Sequence, residues 1–449
     1  MSGGVGAAGA MSGLVWRARR RRLRRRLERS LIAIPSVYLV GAIVLGAIAP
    51  RIDDSRDAPL QLDTGMDTAR DILTSTATGM IAFTGLVIAS VLVVVQFAAG
   101  QYSPRLILWF RRDRLVKHAM GSFLAAFLYA LVALRAFERR NVDYAPDLTV
   151  TLALVLLIGA SVLFLALLQR TMDRLRPRAL YAAVSREAVV AIHAVYPRPL
   201  GAAAGRAGAD DDRSWTVATP RPVHWSGAPG VVSSFDRELL MRAAEAAGVT
   251  IELAVTVGEF VDPGQELVRI HGDGTVDIRL LHAGIEIGEE RTIEQDPAFA
   301  MRIVVDLAIR ALSPAVNDPT TAVQGIDVLE PIVRELAGRD LDASFARGAD
   351  GRVRLVWPSP DWEDVLDLAF EEIRAYGASA MQICRRMRAA LQDLRATSAP
   401  SRHPAIDARL ARLDAAVAAA HGDGSPEAAL ARVADRTGIG LHRRAPRAS

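Results

Sequence analysis

The chain has 449 residues, a formal net charge of +4, 51% hydrophobic residues, 23% charged residues and one cysteine, Cys384. That length is a prior for two to three domains, and the single cysteine excludes a disulfide framework and a cysteine zinc site. Lys117 is the only lysine and no glycine loop precedes it, so phosphate-loop, Schiff-base and carrier-lysine chemistry lack their residue.

Residues 1–30 read as a disordered basic tail, with Met1 and Met11 competing as the start. Residues 17–29 are a polybasic run that sets topology and suits anionic lipid headgroups, at about 1 kcal/mol per well-placed charge. Nucleic acid is not an expected partner, because the net excess is only +4 and much of it sits in this run.

Four apolar blocks follow, at about Leu31–Ala49, Ala77–Gly100, Ala119–Phe137 and Leu148–Leu168. Each is long enough to span a bilayer, which excludes a wholly soluble enzyme. The first is read as a retained helix rather than a signal peptide, since it exceeds the usual h-region and Pro50 follows Ala47-Ile48-Ala49. Basic residues lie before the first block, between the second and third (Arg105, Arg111, Arg112, Arg114, Lys117) and after the fourth (Arg170, Arg174, Arg176, Arg178). The positive-inside rule then puts both termini in the cytoplasm. The aspartates between 53 and 71 read as a solvated outside loop without calcium-loop spacing. Gln96 and Arg135 are the intramembrane polar residues, and Arg135 lies close enough to the end of its block to snorkel. Gly85 with Ala89, Gly121 with Ala125, and Ala126 with Ala130 are four apart, which suits packing inside a four-helix bundle or a subunit interface around a pore.

The second half, 171–395, reads as an α+β domain, with a β module at about 215–290 and helices at about 296–395. Residues 177–196 predict a helix stopped by Pro197 and Pro199, and 200–214 a flexible linker. Alternation over Ile251, Leu253, Val255 and Val257 predicts a half-buried strand. Asp262-Pro263-Gly264 predicts a turn. The phrase Gly258–Ile270 resembles the hairpin of biotinyl/lipoyl-type barrel-sandwich domains, without their modified lysine. Residues 276–287 are expected to add two short strands.

Asp296-Pro297 predicts a capped helix start. Arg302, Asp306 and Arg310 on the helix that follows are spaced as an ion-pair ladder or, alternatively, a switch. The phrase Ser313-Pro314-Ala315-Val316-Asn317-Asp318-Pro319-Thr320-Thr321 predicts a tight helix–helix corner, with Asp318 or Asn317 as cap. Its competing reading is an anion or partner site built on Ser313, Pro314, Asn317, Asp318, Pro319, Thr320 and Thr321.

The same phrase, after Asp306–Leu312, resembles the signature of a bacterial family of predicted membrane proteins catalogued as domain of unknown function twenty-two fifty-four. The four apolar blocks and the Gly258–Ile270 phrase resemble it too, over roughly residues 25–395. The resemblance implies an integral membrane protein and carries no catalytic assignment.

Residues 353–357 predict a strand, and Pro358-Ser359-Pro360-Asp361 opens a long helix with Cys384, an inert packing residue, near its end. The tail, 396–449, predicts a linker, two short helices at about 405–420 and 426–436, and a disordered end. No histidine pair has helical metal spacing and no G-x-S-x-G elbow occurs, so the expectation is no catalytic, metal or cofactor site. The fold class is an α-helical membrane protein: four transmembrane helices, then a cytoplasmic α+β domain with a small barrel-sandwich-like module and helices. The expected function is a non-enzymatic, multi-pass plasma-membrane protein, a homo-oligomer that is channel-like, transport-related or a scaffold. The alternative is a membrane-anchored sensor that binds a ligand or protein through its cytoplasmic domain.

Overall fold

A computed structural model describes residues 30, 32–53, 65–101, 114–140, 147–174, 177–201, 219–341 and 344–438. The polybasic run, Arg105, Arg111 and Arg112, most of the 200–214 linker and the last residues of the tail lie outside these. The described residues fall into two compact units, one within Arg20–Arg176 and one within Pro177–Ser449.

The first unit is four long helices: α1 Ala33–Asp53, α2 Met66–Gln101, α3 Arg114–Arg140 and α4 Asp147–Arg174. They are 21, 36, 27 and 28 residues long. At roughly 1.5 Å per residue each reaches across a hydrocarbon core of about 30 Å. All four are long and apolar enough to cross a membrane. The helix α3 is the hub, packed against the other three. Half of its apolar window is buried, against 22–28% for α1, α2 and α4. Small residues allow this. Ala119, Ala125, Ala126, Ala130 and Ala133 of α3 are buried, and a Cβ on Gly121 would meet the Tyr38 ring at 2.9 Å. The Gly121/Ala125 and Ala126/Ala130 pairs therefore pack inside the bundle, as their spacing suggests.

One expectation changes here. Asp53 is not part of a solvated acidic loop: it ends α1, is 6% exposed, and its carboxylate accepts from the first backbone N–H groups of α4. Asp67 and Asp71 are exposed on the first turns of α2, and the aspartates between 54 and 64 lie outside the described residues.

The second unit begins with α5 Pro177–Val195, then β1 Arg221–His224, β2 Gly230–Phe235, α6 Arg237–Ala247, β3 Thr250–Leu253, β4 Phe260–Val261 and β5 Glu266–His271. Next come α7 Ile278–Gly284, β6 Ile285–Gly288, α8 Pro297–Ala311, α9 Pro319–Ala337, β7 Phe345–Arg347 and β8 Val353–Val356. The unit ends with α10 Trp362–Gly377, α11 Met381–Thr397, a 3-10 turn Pro400–Arg402, α12 His403–His421 and α13 Pro426–Ala431. A five-stranded sheet runs β1-β5-β3-β8-β7 and a three-stranded sheet runs β4-β2-β6. Among the described residues only β3 and β8 pair in parallel. Ile251, Leu253, Leu267, Val268 and Leu355 from the larger sheet share one core with Val232 of β2 and Leu240 of α6.

The barrel-sandwich resemblance does not extend to the fold, because neither sheet closes into a barrel. The predicted turn is present, with Gly264 at φ +89 and its N–H donating to the Trp225 carbonyl. The strands on either side of it part: β4 joins β2 and β5 joins β1 and β3. The expected strand pair at 276–287 is instead a helix and one strand. Asp277 accepts from the Arg279 N–H at 2.9 Å and so caps α7, and β6 follows it directly. The single long helix expected after Asp361 is two, α10 and α11. The chain turns at residues 378–380, where a Cβ on Gly377 would strike Ile383 at 2.6 Å. Cys384 consequently lies in the first turn of α11 and is buried.

Candidate functional site

The corner after α8 is closed by its own backbone. Ser313 donates its hydroxyl to the Arg310 carbonyl at 2.7 Å, and its own carbonyl accepts from Asn317 N–H at 2.8 Å. Asp318 N–H reaches back to Ala311 at 2.8 Å. Pro314 and Asn317 are exposed, and Asn317 adopts φ 47. Asp318 caps α9: its carboxylate accepts the Thr321 N–H at 3.1 Å and the Thr321 hydroxyl at 2.5 Å. Pro319 takes the first turn and Thr320 is exposed. The donors of Thr321 are therefore directed at Asp318, inside the chain. The Thr321 carbonyl in turn accepts from the Tyr181 hydroxyl at 3.2 Å, which ties the corner to α5.

The expected ladder also extends across to another helix. Arg302 Nε donates to Asp306 at 2.7 Å, and the rest of its guanidinium forks onto Glu372 of α10. Arg310, one turn on from Asp306, is exposed in the last turn. The array therefore links α8 to α10, and its part-exposed groups make it a modest structural tie.

In the first unit, Arg135 is exposed at the end of the apolar window of α3, and Gln96 is exposed on α2. Gln96 is one member of a pattern. Asp71, Thr78 and Gly85 of α2 are exposed and spaced by seven, and so are Ser75, Ala82, Ala89 and Gln96. In an α-helix two such interleaved series lie side by side as one stripe. A Cβ on Gly85 would meet nothing within 4 Å. Leu92 is the stripe's large apolar member. Gly85 and Ala89, singled out by their spacing, thus face outward, unlike the buried α3 pairs. Asp71 and Ser75 precede the apolar block, which starts at about Ala77, whereas α2 begins at Met66, so hydropathy alone does not place them on the stripe. The heptad spacing was the available signal.

The outward faces of α1 and α4 are richer in large apolar side chains, although α2 also exposes Ile81, Leu86, Ile88 and Val93 beside its stripe. The α1 and α4 faces expose Val37, Val40, Ile43, Val155, Ile158, Val162 and Leu165. Such side chains suit lipid. Small residues instead let helix backbones approach, and hydroxyl, amide and carboxyl groups in an apolar medium need partners. Beside the stripe, a groove of about 530 Å³ between α2 and α4 is lined by Asp71, Ser75, Thr76 and Ser161 among others. Among the described residues no cluster of three or more histidine, cysteine or acidic side chains could hold a metal.

Residues 28–393 match the family described as Predicted membrane protein (DUF2254). The chain belongs to that family. Similar curated proteins are "Uncharacterized protein Mb1321c" of Mycobacterium bovis and "Uncharacterized protein Rv1290c" of Mycobacterium tuberculosis. Each is 27% identical over 366 residues, covering 76% of this chain and 67% of the relative. No solved structure matches. Within the family match lie α1 to α4, the Ser313–Thr321 corner and the α2 stripe.

Proposed function

We propose that this member of the DUF2254 family is a self-associating, non-enzymatic membrane protein in which the α2 stripe of one copy packs against that of another. The single observation that carries this is the outward heptad of Asp71, Ser75, Thr78, Ala82, Gly85, Ala89 and Gln96. The groove beside it offers room for a neighbouring helix. A helix facing lipid alone gains nothing from this composition, whereas a helix facing its own copy gains close backbone approach and polar partners.

The assembly is read as channel-like or transport-related, because polar side chains stand at both ends of the stripe, Asp71, Ser75 and Thr78 at one and Gln96 at the other. We place it in the plasma membrane with both termini cytoplasmic. The support is the distribution of arginine between the apolar blocks. In this orientation Asp71 and Ser75 stand at the outer end of α2. The Arg17–Arg29 run meets anionic headgroups on the inner side.

The test is disulfide cross-linking in native membranes. In a Cys384→Ala background, single cysteines are placed in turn at Ala82, Gly85, Ala89 and, as off-stripe controls, Ile81 and Ile88. Dimers are expected at the first three positions and not at the controls. Equal cross-linking at all positions, or none, overturns the reading. Ion flux through liposomes holding the intact protein then separates a channel from a scaffold.

A further inference from the structure

A second site lies in the other unit and stands independently of the α2 stripe. A cleft of about 370 Å³ opens where the end of α5, the β2–α6 junction, the start of α8 and the β8–α10 loop converge. That volume lies at the lower end of the range typical of small-molecule sites. Three helix starts surround it, and each already has its own acidic cap: Asp236 for α6, Asp296 for α8 and Asp361 for α10. The helix ends therefore leave no strong demand for an anion. The demand comes from two arginines.

Arg237 is the first residue of α6 and lines the cleft. Its guanidinium stacks on the Trp357 ring, 4.4 Å from the centroid, which fixes its plane. Its one protein hydrogen bond is long, Nη1 to the Val195 carbonyl at 3.4 Å, and among the described residues it makes no ion pair. Burial holds its pKa below the usual guanidinium value, and the main opposing influence is the Tyr196 phenol. A guanidinium carries five donors, so most of those on Arg237 make no hydrogen bond among the described residues.

Arg291 stands on the same cleft. Its Nε donates to Asp296 at 2.5 Å, which leaves its two terminal nitrogens without a protein hydrogen bond among the described residues. It lies over Gly258, whose absent Cβ would otherwise fall 2.2 Å from Arg291 Nε. Thr256 also lines the wall, and the Ser359 hydroxyl there is held by the Leu341 carbonyl at 3.2 Å. Planar forks of this kind match the oxygens of a carboxylate or a phosphate.

We propose that this cleft binds the oxyanion group, carboxylate or phosphate, of a small organic molecule, with Arg237 as the principal contact and Arg291 as the second. Tyr196, Trp357 and Pro358 line the space left for the rest of that molecule.

The experiment uses the full chain in detergent micelles. Inorganic phosphate and, in a parallel arm, succinate are titrated at fixed ionic strength against sodium chloride, and the thermal midpoint is followed. The expected result is saturable stabilisation by one or both anions and none by chloride; the tighter arm tells phosphate from carboxylate. Arg237→Gln is expected to weaken that binding at least tenfold. Thr256→Glu, an exposed loop position that would send a tethered carboxylate into the cleft, is expected to abolish it, and serves if Arg237→Gln does not fold. Stabilisation equal to that by chloride, or undiminished in Thr256→Glu, overturns the proposal.

Discussion

Thr149 gives both of its donors to Asp53: the backbone N–H at 3.0 Å and the hydroxyl at 2.6 Å meet Oδ2, while Leu148 N–H meets Oδ1 at 2.9 Å. The last residue of α1 thus closes the start of α4, and the Thr149 carbonyl accepts from the Tyr129 hydroxyl of α3 at 2.9 Å. Three helices meet around Thr149. Asp53→Ala should lower the stability of the protein by about 2 kcal/mol, because two backbone donors and a hydroxyl lose their acceptor together. Thr149→Val should cost about 1 kcal/mol, since it keeps the backbone bond. Thermal unfolding in detergent measures both. Equal melting temperatures for Asp53→Ala and the parent would show that the cap is not stabilising.

At the α8–α9 corner the backbone and the cap make separable contributions. Asn317 is the one non-glycine with positive φ among the described residues. Asn317→Gly should therefore be neutral, and Asn317→Ala should cost about 1 kcal/mol through left-handed strain. Asp318→Ala should cost about 1 kcal/mol through the lost cap on Thr321. Were Asn317→Gly as damaging as Asn317→Ala, backbone conformation would not be what selects asparagine here.

Arg386 and Glu330 join α11 to α9 with side chains 7% and 9% exposed and a contact of 2.7 Å, and Asp327 accepts Arg386 Nε at 2.6 Å. Arg386→Met takes away one of two arginines on the buried Glu330, the other being Arg334. It should destabilise by about 2 kcal/mol, and adding Glu330→Leu should recover part of that loss. Chemical denaturation of the single and double variants reads the difference. A double variant as unstable as the sum of the singles would contradict the account.

Burial pushes the Cys384 thiol up to about 11. At pH 8 the thiolate is then roughly one molecule in a thousand. Iodoacetamide should leave the folded protein unmodified at that pH and label it promptly in denaturant. The residual folded-state rate should rise about tenfold per pH unit, because it follows the thiolate up to that pKa. Fast labelling of the folded chain at pH 7 would show an exposed thiol.

Much of this was legible in the residues themselves. Long apolar blocks specify α1 to α4, because length and the absence of charge are properties of a segment alone. Asp296-Pro297 and Asp318-Pro319 specify two helix starts for the same reason: a cap acts within three residues. What was not legible depends on distant partners. Asp53 looks like one more acid in an acidic loop until Thr149 is placed beside it. The Gly258–Ile270 phrase contains a real turn, yet which sheet each strand joins is decided by β1, β2 and β3. Arg302 finds Glu372, 70 residues on, in addition to the expected Asp306. The α2 stripe was present in the spacing, but its polar end precedes the block that hydropathy selects.

The central claim is that α2 meets a second copy of this chain through Gly85 and Ala89. The most direct measurement is the mass of the detergent-purified protein by light scattering, for the parent and for Gly85→Ile/Ala89→Ile. The parent should have a protein mass that is a whole multiple, two or greater, of 48.3 kDa, and the variant should fall to a monomer while keeping its helical content. A monomeric parent, or a variant with the parent's mass, would contradict the account.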